Sequence, residues 1–465
     1  MEAPISSPTR VSLMSLGCPK NLVDSEVMTG HLARSGLDLV ADPSESDVVI
    51  VNTCGFVGDA REESINTILG FAEMKQAGAI KGLVVTGCLV ELHRPQLMKE
   101  IPEVDAFLPL SDYSGVPSIV QNLLGEEANG PCPGGSATTS VETELGEGGG
   151  GAPRGAEDDL GRALLTPRHT AYLRLGEGCN HICAFCAIPK IRGKLKSKPI
   201  EVLEEEVHGL VALGVKEVTL VAEDSTDWGK DLGLGYGLAD LLQRLGQVDG
   251  LEWVRVMYAH PATIDDSLIE ALASVSNVVP YLDMPIQHGD DAVLRGMRRG
   301  TDGARIRGLV GQLRQQIPEI VLRTTILVGF PGETEEAFQR LMRLLKDLSF
   351  DRVGCFVWSP EEGTEAMELE GAPDPAVGQE RRDEVMRFQR DLMEEANRRA
   401  VGTSVEVLVD AVDGVSAVAR RAVDALEIDG KVFVTSENLA LAPGDLLKVR
   451  ITGVQGYDLV AVPDV

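Results

Sequence analysis

No apolar run in this 465-residue chain approaches the length needed to cross a bilayer. Met1 to Arg10 also lacks the basic start and apolar stretch of a secretory leader, so neither a membrane span nor export by that route is expected. Cations are scarce: 43 Lys and Arg stand against 72 Asp and Glu, a formal charge of −29. That field repels nucleic acid and attracts basic partners, with a reach limited by salt. Cysteine is sparse and uneven. Six of the eight fall into two groups of three, leaving Cys132 and Cys355 over, a pattern that disulfide pairing does not explain. Thiolates of this kind persist in a reducing cytoplasm, which is the expected compartment.

What is present begins with Cys179, Cys183 and Cys186, in the run Gly178-Cys-Asn-His-Ile-Cys-Ala-Phe-Cys186. This C-x3-C-x2-C cluster has no fourth cysteine nearby. Structural zinc closes a tetrahedron with four ligands, whereas a four-iron cluster held by three cysteines keeps one iron open for a ligand that reacts. His181 lies between two of the cysteines, but a ligand on the open iron would stop the reaction, so a supporting or solvent role is expected for it. The second triplet is dispersed. Cys18, Cys54 and Cys88 follow strand-like runs at Val11 to Leu16, Val48 to Val51 and Leu83 to Val85, with helical stretches at Asn21 to Ser35 and Ala60 to Ala77 between them. Repeated β-α units build an open parallel sheet whose strand carboxyl ends share one edge, so these three cysteines are expected to meet there.

The periodicity divides the chain into 10–124, an N-terminal cluster domain; 125–165, a flexible Gly-, Pro- and acid-rich linker holding Cys132; 166–400; and 401–465. In the third segment strands are expected at Ala171 to Leu175, Glu217 to Val221, Trp253 to Met257, Val278 to Leu282, Leu322 to Val328 and Arg352 to Val357. Helices are expected at Glu201 to Leu213, Asp266 to Ser274 and Thr334 to Leu348. Six such units form a full or partial β/α barrel with its chemistry at the strand carboxyl ends. Glu380 to Ala400 reads as an exposed helix leading away from it. After Gly402 short strands and turns suggest a small OB-like β-barrel. This barrel carries five Lys and Arg against ten acids, the wrong sign for an RNA-binding surface. The overall class is α/β.

An open iron can chelate the amino and carboxylate groups of S-adenosylmethionine and pass an electron into its sulfonium, which yields a carbon radical able to attack an unactivated C–H bond. Candidate contacts to that molecule are Phe185, aromatic and next to Cys186; Glu223 and Asp224, at a strand end and able to take the ammonium; and Gly329 and Glu333, in the Gly-Phe-Pro-Gly-Glu turn after the fifth strand. Each also has a plainer explanation as core packing, a helix cap or a strand-to-helix turn. His260 and His288 are read as pocket-wall residues, and Arg298 and Arg299 as solvated surface cations or partners for a carboxylate.

Gly178 to Cys186 with Ile188-Pro189 and Arg192-Gly193 resembles the radical S-adenosylmethionine loop of the methylthiotransferases. Ser15 to Glu26, Val51 to Phe56 and Thr86 to Cys88 resemble that family's N-terminal cluster domain. Gly17 to Glu26 and Glu427 to Val432 are similar to the branch, the RimO type, that ends in an acidic TRAM barrel and modifies a ribosomal protein. The resemblance implies two 4Fe-4S clusters, on Cys179, Cys183 and Cys186 and on Cys18, Cys54 and Cys88, together with S-adenosylmethionine as radical source and methyl donor. It further implies methylthiolation of an aspartate β-carbon in the small-subunit ribosomal protein S-twelve, with separate sulfur and electron donors and no nucleic-acid substrate. A transfer-RNA adenosine methylthiotransferase is the nearest alternative, and a non-catalytic metal-binding scaffold a more distant one. Lys196-Ser-Lys198 and Arg420 to Leu426 depart from the family's usual runs, and lysine is a poorer bidentate partner for an anion than the arginine usual there.

Overall fold

The computed structural model describes residues 9–111, 113–125, 159–435 and 440–464, so Cys132 and most of the expected linker lie outside the described residues. The chain forms two compact units, one of residues up to Leu165 with the excursion Ala187–Lys194, the other of Thr166–Cys186 and Leu195 onward.

The first unit is a parallel sheet of β1 (Arg10–Ser15), β2 (Asp38–Leu39), β3 (Val48–Thr53), β4 (Gly82–Gly87) and β5 (Ala106–Phe107), in the order β2-β1-β3-β4-β5. β3 and β4 are buried along their whole length, because helices cover both faces and alternate residues serve different cores. Val48, Ile50 and Val84 pack with Val27, Met28 and Ile191, whereas Val49, Val51 and Val85 pack with Ile68 and Phe71. Short strands at Asp38–Leu39 and Ala106–Phe107, too brief to show a pattern, extend the sheet at its edges.

The last described part of the expected linker is not loose. Arg162 is buried against Glu26 at 3.3 Å, and the backbone amides of Ala163 and Leu165 donate to the same residue. One glutamate therefore fastens this stretch along the helix Pro19–Arg34.

In the second unit six parallel strands follow chain order: β6 (Thr170–Arg174), β7 (Glu217–Val221), β8 (Trp253–Val256), β9 (Val278–Asp283), β10 (Val321–Val328) and β11 (Arg352–Val357). The sheet does not close, so it is a partial β/α barrel. Helices between the strands include Ile200–Ala212, Asp266–Ser274, Gly303–Gln316 and Glu335–Leu348. The last starts one residue later than its pattern suggests, because Thr334 caps it by accepting from the Ala337 amide.

The helix Pro375–Ala400 does not lead away from the barrel. Gly378, Arg381, Val385, Gln389, Met393 and Asn397 form one buried stripe at helical spacing. Gln389 donates to the carbonyls of Phe350 and Asp351, and Asn397 to that of Tyr457, so polar residues on this face satisfy backbone rather than solvent. β12 (Ser404–Asp413), β13 (Ser416–Arg421), β14 (Val432–Thr435), β15 (Leu446–Gln455) and β16 (Asp458–Pro463) close the small terminal barrel.

Candidate metal centres

In the first unit all three cysteines stand at strand carboxyl ends. Cys18 is the N-cap of the helix Pro19–Arg34, Cys54 follows β3, and Cys88 opens the helix Cys88–Glu100 directly after β4. Glycine allows them to converge. Gly17 has φ +91°, and a Cβ there would lie 2.7 Å from the Cys54 Cβ; Gly87 has φ +103°, and a Cβ there would lie 2.3 Å from the Thr53 carbonyl oxygen. No side chain fits at either place.

The thiols feel one another. Burial pushes Cys88 up to about 12 and also raises Cys54, and neighbouring cysteines raise both further. Arg192, from the excursion Ala187–Lys194, pulls the other way: its Nη2 donates to Asp24 at 2.8 Å and to Asn21 Oδ1 at 2.7 Å, and contacts Cys88 Sγ at 3.7 Å. Asn21 in turn donates to the carbonyls of Leu16 and Thr53, tying together the ends of β1 and β3. Nothing local in the sequence marks Arg192 for this position.

In the second unit the loop carrying Cys179, Cys183 and Cys186 follows β6. The Ala184 amide donates to the Met297 carbonyl at 3.0 Å, and its carbonyl accepts from Ala366 at 2.8 Å, which pins the loop from both sides. Burial pushes Cys179 up to about 11, with Asp224, Cys183 and Glu223 adding to the rise while the His181 amide opposes it. Arg299 is buried rather than solvated, donating to Cys183 Sγ at 3.4 Å and to the Pro285 carbonyl at 2.6 Å. Arg298 stays half exposed and pairs with Glu365.

The candidate residues gather around this loop in different capacities. Phe185 packs on an apolar cluster containing Ala184, Met297 and Phe330, so the cysteine loop and the Gly329–Glu333 turn share one core. Gly329 has φ +77°, and its amide donates to the Glu333 carboxylate. The same carboxylate takes His288 at 3.3 Å and Arg381 at 3.4 Å, so Glu333 holds the turn together. Asp224 accepts from the amide and hydroxyl of Thr226 and pairs with His181 at 2.6 Å. Glu223 lies beside it, near enough to act on Cys179.

His181 does not turn toward a metal position among the cysteines. Asp224 and Asp227 hold it protonated, up at about 9, and its ring stacks on His260 at 4.1 Å. Burial and the charge of Arg299 keep His260 neutral, down at about 2. Lys198 is buried on Glu206 at 2.7 Å, so it serves the fold rather than an anion. Cys355 is a core thiol, pushed by burial up to about 12.

Three family models match the chain: the uncharacterized protein family UPF0004 over residues 10–109, the Radical SAM superfamily over 173–345 and the TRAM domain over 401–463. The ribosomal protein uS12 methylthiotransferase RimO of Geotalea uraniireducens is 41% identical over 454 residues, covering 97% of this chain and 97% of the relative. That of Aquifex aeolicus is also 41% identical over 454 residues, covering 97% and 96%.

The chain belongs to the RimO family. It is a radical S-adenosylmethionine methylthiotransferase, a class that uses S-adenosylmethionine and two iron-sulfur clusters. A radical S-adenosylmethionine methyltransferase, TsrM from Kitasatospora setae, solved with tryptophan and a S-adenosylmethionine analogue, is 13% identical with a TM-score of 0.53, covering 88% of this chain and 79% of that one. That likeness is one of fold.

The donor sets fit RimO-family clusters better than single ions. Mononuclear zinc, with Zn–S near 2.3 Å, would draw thiolates to within roughly 3.8 Å of one another. Among the described residues only His181, Asp224 and Asp227 bring three ligand atoms within 4.8 Å, and they pair with one another; neither cysteine triplet is so contracted. Three soft thiolates, spread wider than one ion requires and backed by an arginine at each site, suit a larger cluster with an iron left open.

Proposed function

We propose that this chain methylthiolates the β-carbon of one aspartate in ribosomal protein uS12, replacing C–H by C–SCH3, in the cytoplasm and with separate sulfur and electron donors. The substrate is uS12, free or within the small subunit. Cys179, Cys183 and Cys186 would hold the cluster that binds S-adenosylmethionine, and Cys18, Cys54 and Cys88 the auxiliary cluster at which sulfur is held. When bound, the first group supplies a 5′-deoxyadenosyl radical able to take hydrogen from carbon.

The chain's own residues position and shield. Ala184, held by Met297 and Ala366, fixes the cysteine loop, and Phe185 with Phe330 gives it an apolar wall against water. The turn shaped by Glu333 offers backbone at Gly329 for the adenosine part. Glu223 and Asp224, side by side at the end of the second strand and both close enough to act on Cys179, would meet the ammonium.

The observation that carries the choice of a protein substrate is the charge of the terminal barrel. Of its five cations, Arg420 is buried on Glu217 and Asp410, and Arg421 pairs with Asp424. Lys431, Lys448 and Arg450 remain, and Arg450 pairs with Asp464 at 2.7 Å. A surface with so little cationic charge cannot gain the counterion release on which RNA affinity depends, but it suits a basic protein. None of the described helices is long and apolar enough to cross a membrane.

The test is the intact mass of uS12 from cells with and without this chain. A methylthio increment present only with the chain supports the proposal. Identical masses, with a methylthiolated transfer-RNA adenosine appearing instead, would reassign the substrate.

A further inference from the structure

Arg192 lies six residues after Cys186 in the chain, yet its guanidinium is buried in the first unit. It caps the short helix Ile188–Ile191, whose Ile191 sits in the same core as Cys88, Val27 and Ile50. Its side chain is 1% exposed and that of its partner Asp24 is 0% exposed. A charge is not placed in such an environment cheaply, and breaking a buried pair leaves its partner stranded. The helix and core position would be served by an apolar residue.

The geometry shows what the charge faces. One nitrogen, Nη2, reaches Asp24 Oδ2 at 2.8 Å, Asn21 Oδ1 at 2.7 Å and Cys88 Sγ at 3.7 Å. Asn21 Oδ1 is itself 3.5 Å from that sulfur, and Asn21 is anchored through its amide to Leu16 and Thr53. Asp24 and Asn21 therefore fix the cation and keep its positive end toward the thiol. A dipole so oriented in a dry site acts strongly, because the local dielectric is low.

On the reading that Cys88 is a ligand of the auxiliary cluster, we propose that Arg192 is a positioning residue that sets the reduction potential of that cluster. Its N–H and positive charge at the Cys88 sulfur favour the electron-richer state, while Asp24 limits the effect and holds the guanidinium in place. Charge and hydrogen bonding at ligand sulfurs are established determinants of cluster potential.

The test uses the full chain carrying Cys183→Ala, so that the auxiliary cluster can be followed alone by absorbance and electron paramagnetic resonance during a redox titration. Arg192→Met should lower the reduced-to-oxidised ratio at fixed potential about tenfold, equivalent to about 59 mV for one electron. Arg192→Lys, which keeps charge but not the planar fork, should fall between. Asp24→Asn should move the midpoint the other way. If Arg192→Met cannot hold a cluster, the lysine and asparagine variants decide, since opposite signs cannot come from general damage. Midpoints equal to the parent, or shifted in one direction by all three variants, would overturn the proposal. Absence of any cluster in the Cys183→Ala parent, or its persistence after Cys88→Ala, would instead overturn the ligand assignment on which the proposal rests.

Discussion

Arg420 in the small barrel and Glu217 at the start of the second strand of the six-stranded sheet are 2.7 Å apart, and both are buried. Arg255 shares the same carboxylate at 2.8 Å, while Arg420 also holds Asp410, which pairs with His169. Beside this network Arg352 reaches Asp424 at 3.1 Å. Cations that a nucleic-acid barrel would present outward are here used to seat the barrel on the sheet.

Glu217→Gln should therefore cost about 3–5 kcal/mol, since it leaves two buried arginines short of charge. Thermal unfolding of the full chain at neutral pH measures it. A loss below about 1 kcal/mol, the value of an exposed pair, would mean that the network is solvated.

The same pair has a signature in pH. Burial alone would raise the Glu217 carboxyl, but Arg420 and Arg255 outweigh it and hold it down at about 2. A depressed carboxylate stabilises the fold above its ordinary value and loses that contribution as pH falls through the folded one. The difference in unfolding midpoint between the parent and Glu217→Gln should be constant at neutral pH and shrink from about pH 4.5 toward 2. A difference that stays constant, or widens, over that range contradicts the assignment.

Gly87→Ala should abolish the auxiliary cluster. The added Cβ would meet Thr53 backbone atoms at 2.3 and 2.5 Å in a left-handed conformation, so Cys88 must move. After reconstitution the variant should hold about half the iron of the parent, as expected if one of two equal clusters is lost. Gly78→Ala has a similar φ of +76° but nothing within 4 Å of the new Cβ, and serves as the control. Full iron content in Gly87→Ala would show that Cys88 is not required.

Glu333→Gln should weaken S-adenosylmethionine binding while leaving both clusters in place. It removes the charge that joins the Gly329 amide, His288 and Arg381. A hydrogen bond to a charged group contributes about 1.5–3 kcal/mol, so KM for S-adenosylmethionine should rise roughly 10- to 100-fold. Unchanged KM would remove the turn from the binding site.

Much of this was legible in the sequence because the strands are short runs rich in β-branched and aliphatic residues, several of them, such as Val48–Thr53 and Glu217–Val221, buried on both faces. Glu217 to Val221 and Arg352 to Val357 emerge with the observed ends, as does the helix Asp266–Ser274, capped by Asp265. The meeting of Cys18, Cys54 and Cys88 follows from β-α alternation alone. The helix Gly303–Gln316 was missed amid Arg, Gln and Gly, although the signal was there: Asp302 caps it, and Ile306, Leu309, Val310 and Leu313 keep helical spacing. Arg192 was not legible in its role, because Asp24 is 168 positions away and only the folded chain joins them. His181 is similar, its partners Asp224 and Asp227 standing on a different loop.

The most direct measurement gives the reconstituted chain uS12 and transfer RNA together, with S-adenosylmethionine, reductant and sulfide, and locates the product by tandem mass spectrometry. The expected result is a methylthio group on a single aspartate of uS12, unmodified transfer RNA, and no product with either Cys183→Ala or Cys88→Ala. Methylthiolated adenosine beside untouched uS12, or product surviving the loss of either cysteine, would contradict it.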